Sequence, residues 1–236
     1  MELAAAAVSA LATGLWQLPP AGGEAPAPLF GACFVAFARG DAGPGRAGDR
    51  AWVAAVTWRP SGRPGREREG IEEEVVVTGT TGAPYIPGLL ALREGPLLGP
   101  AVGALARRPD VLIVDATGLD HPRRAGLAVH MGAQLGLPTV GVTHRPLLAR
   151  GDLPVLRRGA TAPLLIGSQQ VGSWVCTRTG ARPVVAHAAW RTDTTTAVHV
   201  VLATSTAAAR APVPLREARR AAREARAVAE GRTLRR

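Results

Sequence analysis

The sequence predicts an α/β fold: a single domain in which α-helices flank a mixed β-sheet. Three observations lead to this prediction. The first third of the chain alternates apolar segments with polar, Gly-rich loops, the middle follows a strand–helix–strand pattern, and the last part contains two helical segments. An antiparallel meander followed by a parallel unit gives a sheet whose strands run in both directions.

The first third has three apolar segments that are typical of strands, at 30–37, 51–58 and 71–78. The loops between them, at 40–48 and 61–70, are rich in Gly, Pro and Arg. Short turn-rich loops join neighbouring antiparallel strands, so this region is predicted to be a meander.

The middle of the chain begins with a leucine-rich segment at 87–108, whose pattern suits helical packing around Gly95-Pro96. A strand at 111–115, a helix at 124–135 and a strand at 139–142 follow. A strand–helix–strand unit places its two strands in parallel.

The last part has short strand candidates at 163–166, 171–177 and 183–186, and helices at 194–209 and 215–229. Pro214 suits the first turn of the final helix. Five arginines of that helix recur at helical spacing and form a basic face: Arg216, Arg219, Arg220, Arg223 and Arg226. This face is interpreted either as a solvated helix surface or as a nucleic-acid-binding arm.

The predicted domain organisation has three parts. Residues 1–30 form an Ala-rich helix and a loop, residues 31–210 form the α/β domain, and residues 211–236 form the arginine-rich helix. The N-terminal segment lacks the basic residues that begin a signal peptide, and no apolar run is long enough to span a membrane.

Composition narrows the class of partner. The formal net charge is +10, and all 28 basic residues are arginine, which favours a polyanion such as nucleic acid as the partner. A GC-rich genome would account for part of the arginine excess. Cys33 and Cys176 match no metal-binding spacing and are predicted to be buried free thiols in a reducing compartment, hence a cytoplasmic location.

The segment from Val111 to Arg124 carries the clearest chemical signal. An apolar run ends at Asp115, and the turn that follows contains Asp120, His121, Arg123 and Arg124. A buried strand that delivers an acid to its carboxyl end is a usual way for an α/β sheet to present functional groups.

Three segments together resemble the signatures of the endonuclease V family. They are Pro84-Tyr85-Ile86-Pro87-Gly88-Leu89-Leu90-Ala91-Leu92-Arg93-Glu94-Gly95-Pro96, the segment that contains Asp115, and Thr139-Val140-Gly141-Val142-Thr143-His144-Arg145-Pro146-Leu147. Their order and spacing fit, and the similarity extends from about residue 31 to residue 209. The resemblance implies a ribonuclease-H-like fold and Mg²⁺-dependent cleavage of DNA or RNA near deaminated purines, inosine or deoxyinosine.

The resemblance also implies a catalytic centre. Glu94 and Asp115 match two of the family's carboxylates and are predicted metal ligands and catalytic residues, for Mg²⁺ or Mn²⁺ if the chain is active. Phe34 stands where the family has a third carboxylate, His144 where it has a lysine, and Trp190 where it has a late histidine. These three substitutions leave open that the chain uses no metal and has lost cleavage. His144 and His121 are predicted to assist as catalytic groups.

The recognition features match more fully. Pro84, Tyr85, Ile86 and Pro87 resemble the family's wedge, in which a rigid aromatic stacks against bases. Gly118 lies in the segment that corresponds to the base pocket. Arg123 and Arg124 are predicted to contact phosphates. For each group a purely structural role is the alternative: a buried anchor for Tyr85, a carboxylate on the helix surface for Glu94, a capping bond for His121.

Three functions follow. The first choice is an endonuclease V-like protein, expected to be monomeric, that binds nucleic acid but is impaired in cleavage. The alternatives are an active metal-dependent endonuclease V and an enzyme that uses the altered pocket on another substrate.

Overall fold

The computed structural model describes residues 14–20, 27–39, 45–60 and 67–231. The predicted N-terminal helix lies outside these residues. The described strands are β1 (Phe30–Phe37), β2 (Arg50–Trp58), β3 (Ile71–Thr80), β4 (Val111–Val114), β5 (Thr139–Thr143), β6 (Thr161–Ile166), β7 (Gln169–Val175) and β8 (Val184–Ala188). The described helices are α1 (Leu90–Gly103), α2 (Leu127–Leu135), α3 (Thr194–Ala203) and α4 (Val213–Ala229).

All eight strands form one mixed sheet in the order β3-β2-β1-β4-β5-β8-β7-β6. Strands β1, β2 and β3 are antiparallel, as the predicted meander requires, whereas β1, β4 and β5 are parallel neighbours. Strands β8, β7 and β6 complete the sheet in antiparallel pairing. The predicted α/β fold with a mixed sheet in a single domain is confirmed.

Helices cover both faces of the sheet. On one face α1 and α2 pack on residues such as Cys33 and Leu112, and on the other α3 and α4 pack on residues such as Ile113 and Val140. Side chains alternate along a strand, so the consecutive residues Cys33 and Phe34 lie on opposite faces. Every residue of β4 is buried, which accounts for its uninterrupted apolar sequence.

Two helices are shorter than the sequence predicts. The segment before α2 forms a turn in which Arg124 has a φ of 54°, a left-handed conformation that no helix tolerates, so α2 begins at Leu127. Helix α3 ends at Ala203; the next carbonyl, that of Thr204, accepts from Val213 N–H at the start of α4 and so makes no helical bond.

Both cysteines are buried and free, as predicted. No helix in the described ranges has the length and apolar character needed to cross a membrane.

Candidate functional site

Strand pairing brings the predicted site residues to one edge of the sheet. Cys33 of β1 pairs with Val114 of β4, and Val114 pairs with Gly141 of β5. Because these strands are parallel, Phe34 and Asp115 follow as neighbours at the carboxyl edge, and His144 comes directly after β5.

Asp115 is bound by an arginine from the far end of the chain. Arg219 Nη2 of α4 donates to Asp115 Oδ2 at 2.6 Å, across 104 residues of sequence. Both side chains are partly exposed, at 22% for Arg219 and 30% for Asp115. The carboxylate at the end of β4 therefore already has a positively charged partner.

The Phe34 ring lies beneath two guanidinium groups. Arg219 Cζ is 5.2 Å from the ring centroid and Arg223 Cζ, one helical turn later, is 5.6 Å from it. Both distances fall in the range of cation–π attraction. The ring also packs on a small alanine cluster that includes Ala221 and Ala222 of α4, and this packing explains how helix and sheet approach closely here.

Glu94 lies on the other side of Asp115, beside the buried thiol of Cys33. A cavity of about 220 Å³ is lined by both groups and by Phe34 and Asp115. Burial, together with the nearby Asp115 carboxylate, raises the pKa of Glu94 to about 7, although Arg93 opposes the shift. Burial also raises the pKa of Cys33 to about 12, so that sulfur remains a neutral thiol at neutral pH. Glu94 and Asp115 are thus brought together, as the sequence predicts.

The neighbouring Arg93 has a structural role. Its side chain is buried, lies 4.4 Å over the Phe37 ring, and donates to the carbonyls of Arg46 and Ala83. It also pairs with Asp49 at 2.6 Å. Asp49, which comes after the first strand in sequence, is therefore committed to this ion pair rather than to the site.

A larger cavity of about 370 Å³ opens beside Asp115. Tyr85 lines it and is 42% exposed, so the alternative of a buried anchor is wrong for this residue. Ala116 and Thr117, which follow Asp115, line the same cavity, together with His121 and several leucines. An exposed aromatic thus stands at an apolar cavity of the size that holds a planar ring.

The turn after β4 is tied to the wedge segment. Arg123 Nη1 donates to the Gly88 carbonyl at 3.1 Å, and His121 Nδ1 accepts from Arg123 N–H at 3.2 Å. Burial lowers the pKa of His121. Arg123 is exposed and Arg124 partly exposed. Gly118 is buried with its Cα against the Ala188 carbonyl, where a Cβ would come within 2.0 Å of that oxygen.

Asp120 and His144 lie in the segments that follow β4 and β5. Asp120 is fully buried and accepts three backbone N–H groups, from Leu147, Leu148 and Ala149. It therefore holds the segment that follows His144. Burial lowers the pKa of His144, with Arg210 and Arg219 acting in the same direction and Asp115 opposing them.

The placement of Trp190 near Asp115 was wrong. Strand β8 is antiparallel to β5, with Ala188 opposite Val140, so the residues after β8 lie at the opposite edge of the sheet. Trp190 N–H donates to Thr139 Oγ1, and its side chain packs against Gly132 of α2. From the C-terminal part of the chain it is Arg219 that reaches Asp115, and the only sequence signal for it was the spacing of the basic face.

The donor set does not fit a hard divalent cation. Mg²⁺ and Mn²⁺ prefer several oxygen ligands, and catalytic sites for them cluster carboxylates. Here the cluster contains Glu94 and Asp115, the position beside them is a phenylalanine, and Asp115 is paired with Arg219. Among the described residues, no three His, Cys, Asp or Glu side chains are arranged to hold a metal ion.

Comparison with known proteins places this geometry in a family. The model of the family described as Endonuclease V matches residues 51–220. Endonuclease V of Streptomyces coelicolor is 47% identical over 111 residues, which cover 47% of this chain and 48% of that protein. The chain spans roughly half to three fifths of the length of the first curated relatives it matches.

Solved structures show the same fold. The crystal structure of endonuclease V from Streptomyces avermitilis has a TM-score of 0.77 and 31% identity, covering 97% of this chain and 93% of that one. Ciona intestinalis endonuclease V in complex with a 24mer DNA containing an inosine followed by a ribo-adenosine has a TM-score of 0.68 and 14% identity, covering 95% of each chain. The family match over residues 51–220 establishes that this chain belongs to the endonuclease V family.

Proposed function

We propose that this chain binds nucleic acid at deaminated purines, inosine or deoxyinosine, and that its phosphodiester-cleaving activity is impaired. One observation carries the proposal: the exposed Tyr85 stands at a 370 Å³ cavity lined by the turn after Asp115, whereas the position next to Asp115 in the sheet is Phe34. The parts suited to recognising a base are present together, and the carboxylate cluster is incomplete.

The binding half of the proposal rests on shape and charge. Aromatic stacking on a base contributes about 1 to 3 kcal/mol and tolerates any base, while the shape of an apolar pocket selects the base that fits it. The net charge of +10 attracts the phosphate backbone without regard to sequence. The complex of Ciona intestinalis endonuclease V with inosine-containing DNA supports the choice of ligand.

The cleavage half rests on the catalytic edge. Metal-assisted hydrolysis needs clustered carboxylates to hold the cation that activates water. The chain offers Glu94 and Asp115, and of these Asp115 is engaged by Arg219. The proximity of the two acids is the observation that favours the second candidate, an active metal-dependent endonuclease. We also propose a cytoplasmic location, which the two buried free thiols support because such thiols are usual in a reducing compartment.

Binding and cleavage are tested on the same oligonucleotides. Single-stranded RNA and DNA with one inosine, and matched strands with adenosine, are titrated by fluorescence anisotropy. We expect tighter binding of the inosine strands, with about tenfold loss for Tyr85→Ala and little loss for Tyr85→Phe, which keeps the stacking ring. Equal affinity for inosine and adenosine strands would remove the lesion preference from the proposal.

Cleavage is read on gels with Mg²⁺ or Mn²⁺ present. We expect little or no nicking by the wild type. Metal-dependent nicking that disappears in Asp115→Asn would establish the active endonuclease instead. Failure to bind any of the four strands would favour an enzyme that uses the cavity on another substrate.

A further inference from the structure

The charge distribution at the carboxyl edge is the opposite of what a cation site requires. Arg219 contacts Asp115 at 2.6 Å and lies over the Phe34 ring, and Arg223 lies over the same ring. Arg223 is exposed and has no ion pair with any described residue. One guanidinium therefore contacts Asp115 directly, and a second lies over the ring next to it.

Phe34 and Arg219 act as a pair in this arrangement. A guanidinium stacks on an aromatic face and forms a directed bond with a carboxylate, and Arg219 does both at once. A carboxylate at position 34 would offer oxygen ligands on the same face of the sheet, whereas the ring offers only a stacking surface.

A divalent ion at Asp115 would meet this guanidinium directly. Mg²⁺ binds carboxylate oxygens at about 2.0 to 2.1 Å in near-octahedral geometry. Arg219 already occupies Oδ2, so an ion on that oxygen would displace it or lie against a like charge in a half-buried site.

We propose that Arg219 is a built-in counter-ion that replaces a divalent cation at Asp115, with Phe34 as its stacking surface. The site is consequently closed to Mg²⁺ and Mn²⁺. A second consequence rests on the nucleic-acid binding proposed above. That binding proceeds without divalent cations, because arginine supplies the positive charge facing the phosphates.

The direct test measures Mn²⁺ binding by electron paramagnetic resonance, where the signal of free Mn²⁺ falls as ions bind. It needs no nucleic acid. Four proteins are compared: wild type, Phe34→Asp, Phe34→Asp with Arg219→Gln, and Phe34→Asp with Arg216→Gln. Arg216 is the matched control because it lies on the same helix and has no side-chain partner among the described residues. Glutamine keeps most of the side-chain length without the charge.

We expect no Mn²⁺ binding by the wild type and weak binding by Phe34→Asp, because Arg219 then pairs with the new carboxylate as well. The variant with both Phe34→Asp and Arg219→Gln should bind Mn²⁺ at least tenfold more tightly than Phe34→Asp, and the Arg216 control should match Phe34→Asp. Equal affinity of Phe34→Asp with and without Arg219 would overturn the proposal. Mn²⁺ binding by the wild type with an affinity that Arg219→Gln leaves unchanged would also overturn it.

Circular dichroism establishes that each variant is folded. If the double variant is not, Arg219→Gln alone is compared with Arg216→Gln. Measurable Mn²⁺ binding by Arg219→Gln and none by Arg216→Gln is the expected result, and no binding by either refutes the counter-ion. A second arm titrates an inosine-containing RNA with Mg²⁺ or with EDTA at matched ionic strength. Affinities within twofold support cation-independent binding, and a Mg²⁺ requirement refutes it. Absence of RNA binding in both buffers would refute the proposed function while the Mn²⁺ result stands.

Discussion

Arg93 Nη2 lies 2.6 Å from Asp49 Oδ2, and this ion pair fastens the first turn of α1 to the segment just before β2. The same guanidinium donates to the Ala83 carbonyl at 2.9 Å, two residues before Tyr85. Tyr85 N–H in turn donates to the Gly45 carbonyl at 3.1 Å. One buried arginine thus joins two loops and sets the position of the exposed aromatic.

Replacement of Arg93 by Met is therefore expected to lower both stability and nucleic-acid affinity. The free energy of unfolding should fall by about 1 to 3 kcal/mol, because buried Arg93 is lost together with its bonds to the partly buried Arg46 and Ala83 carbonyls. Urea denaturation measures this loss. Arg107→Met is the matched control: Arg107 is 61% exposed in its pair with Glu72, and its loss should change stability by less than about 1 kcal/mol. Equal losses in both variants would contradict the structural role of Arg93.

His187 makes stability depend on pH. Its Nε2 lies 2.8 Å from Thr143 Oγ1 and its Nδ1 lies 3.9 Å from Asp120. Full burial lowers the pKa of His187 to about 4, although Asp120 opposes the shift. Because the folded pKa is below the unfolded value of about 6.5, the unfolded chain takes up a proton first as pH falls. Stability is retained above pH 6.5 and is lost as pH falls from there toward 4.

His187→Gln should flatten this dependence by about 1 to 3 kcal/mol between pH 6.5 and pH 4. The free energy of unfolding is measured by urea denaturation across that range. Exposed His199 provides the control, since His199→Gln should leave the wild-type slope in place. A slope in His187→Gln as steep as that of the wild type would assign the effect to the other histidines.

The sheet could be predicted from sequence because its signals are local. Segments 30–37 and 71–78 alternate with turn-rich loops, and the apolar run of β4 stops at Asp115. Helix ends were predicted less well, since they depend on local features such as the bond from Val213 N–H to the Thr204 carbonyl and the left-handed conformation of Arg124. These contacts form only when the surrounding chain has packed.

For the candidate site, too, the residues within continuous motifs could be predicted from the sequence, and the contacts between distant segments could not. Glu94 and Asp115 could be predicted as partners because both belong to continuous signatures. The Arg219–Asp115 pair could not, because its members are 104 residues apart and helical spacing shows a basic face without showing what it meets. Trp190 was misplaced because counting along β8 ignores its direction, and an antiparallel strand carries the chain away from the carboxyl edge.

Gly118 is predicted to be essential to the turn after β4. A Cβ there would lie 2.0 Å from the Ala188 carbonyl, and backbone cannot move as a flexible side chain can. Gly118→Ala should therefore cost more than about 2 kcal/mol and shift the loop that lines the larger cavity. Gly103→Ala is the control, because a Cβ at that position, at the end of α1, would have nothing within 4 Å of it. That variant should be neutral or more stable by up to about 1 kcal/mol. Thermal unfolding followed by circular dichroism compares the two.

Asp120 is predicted to hold the segment after β5 through its charge and both of its oxygens. Oδ1 accepts from Leu148 and Ala149 N–H at 2.8 Å each, and Oδ2 accepts from Leu147 N–H at 2.7 Å. Asp120→Asn replaces one acceptor oxygen by a donor, so at least one of these three N–H groups loses its partner. The expected cost is about 1 to 3 kcal/mol in urea denaturation.

The same substitution should speed amide hydrogen exchange at residues 147–149, because those N–H groups are the ones the carboxylate protects. Asp152→Asn, at an exposed position, should leave both stability and exchange as in the wild type. Unchanged exchange at 147–149 in a destabilised Asp120→Asn protein would mean that the segment after His144 is held by its packing and not by Asp120. Faster exchange confined to that segment would show that one buried carboxylate orders the chain that borders the cavity.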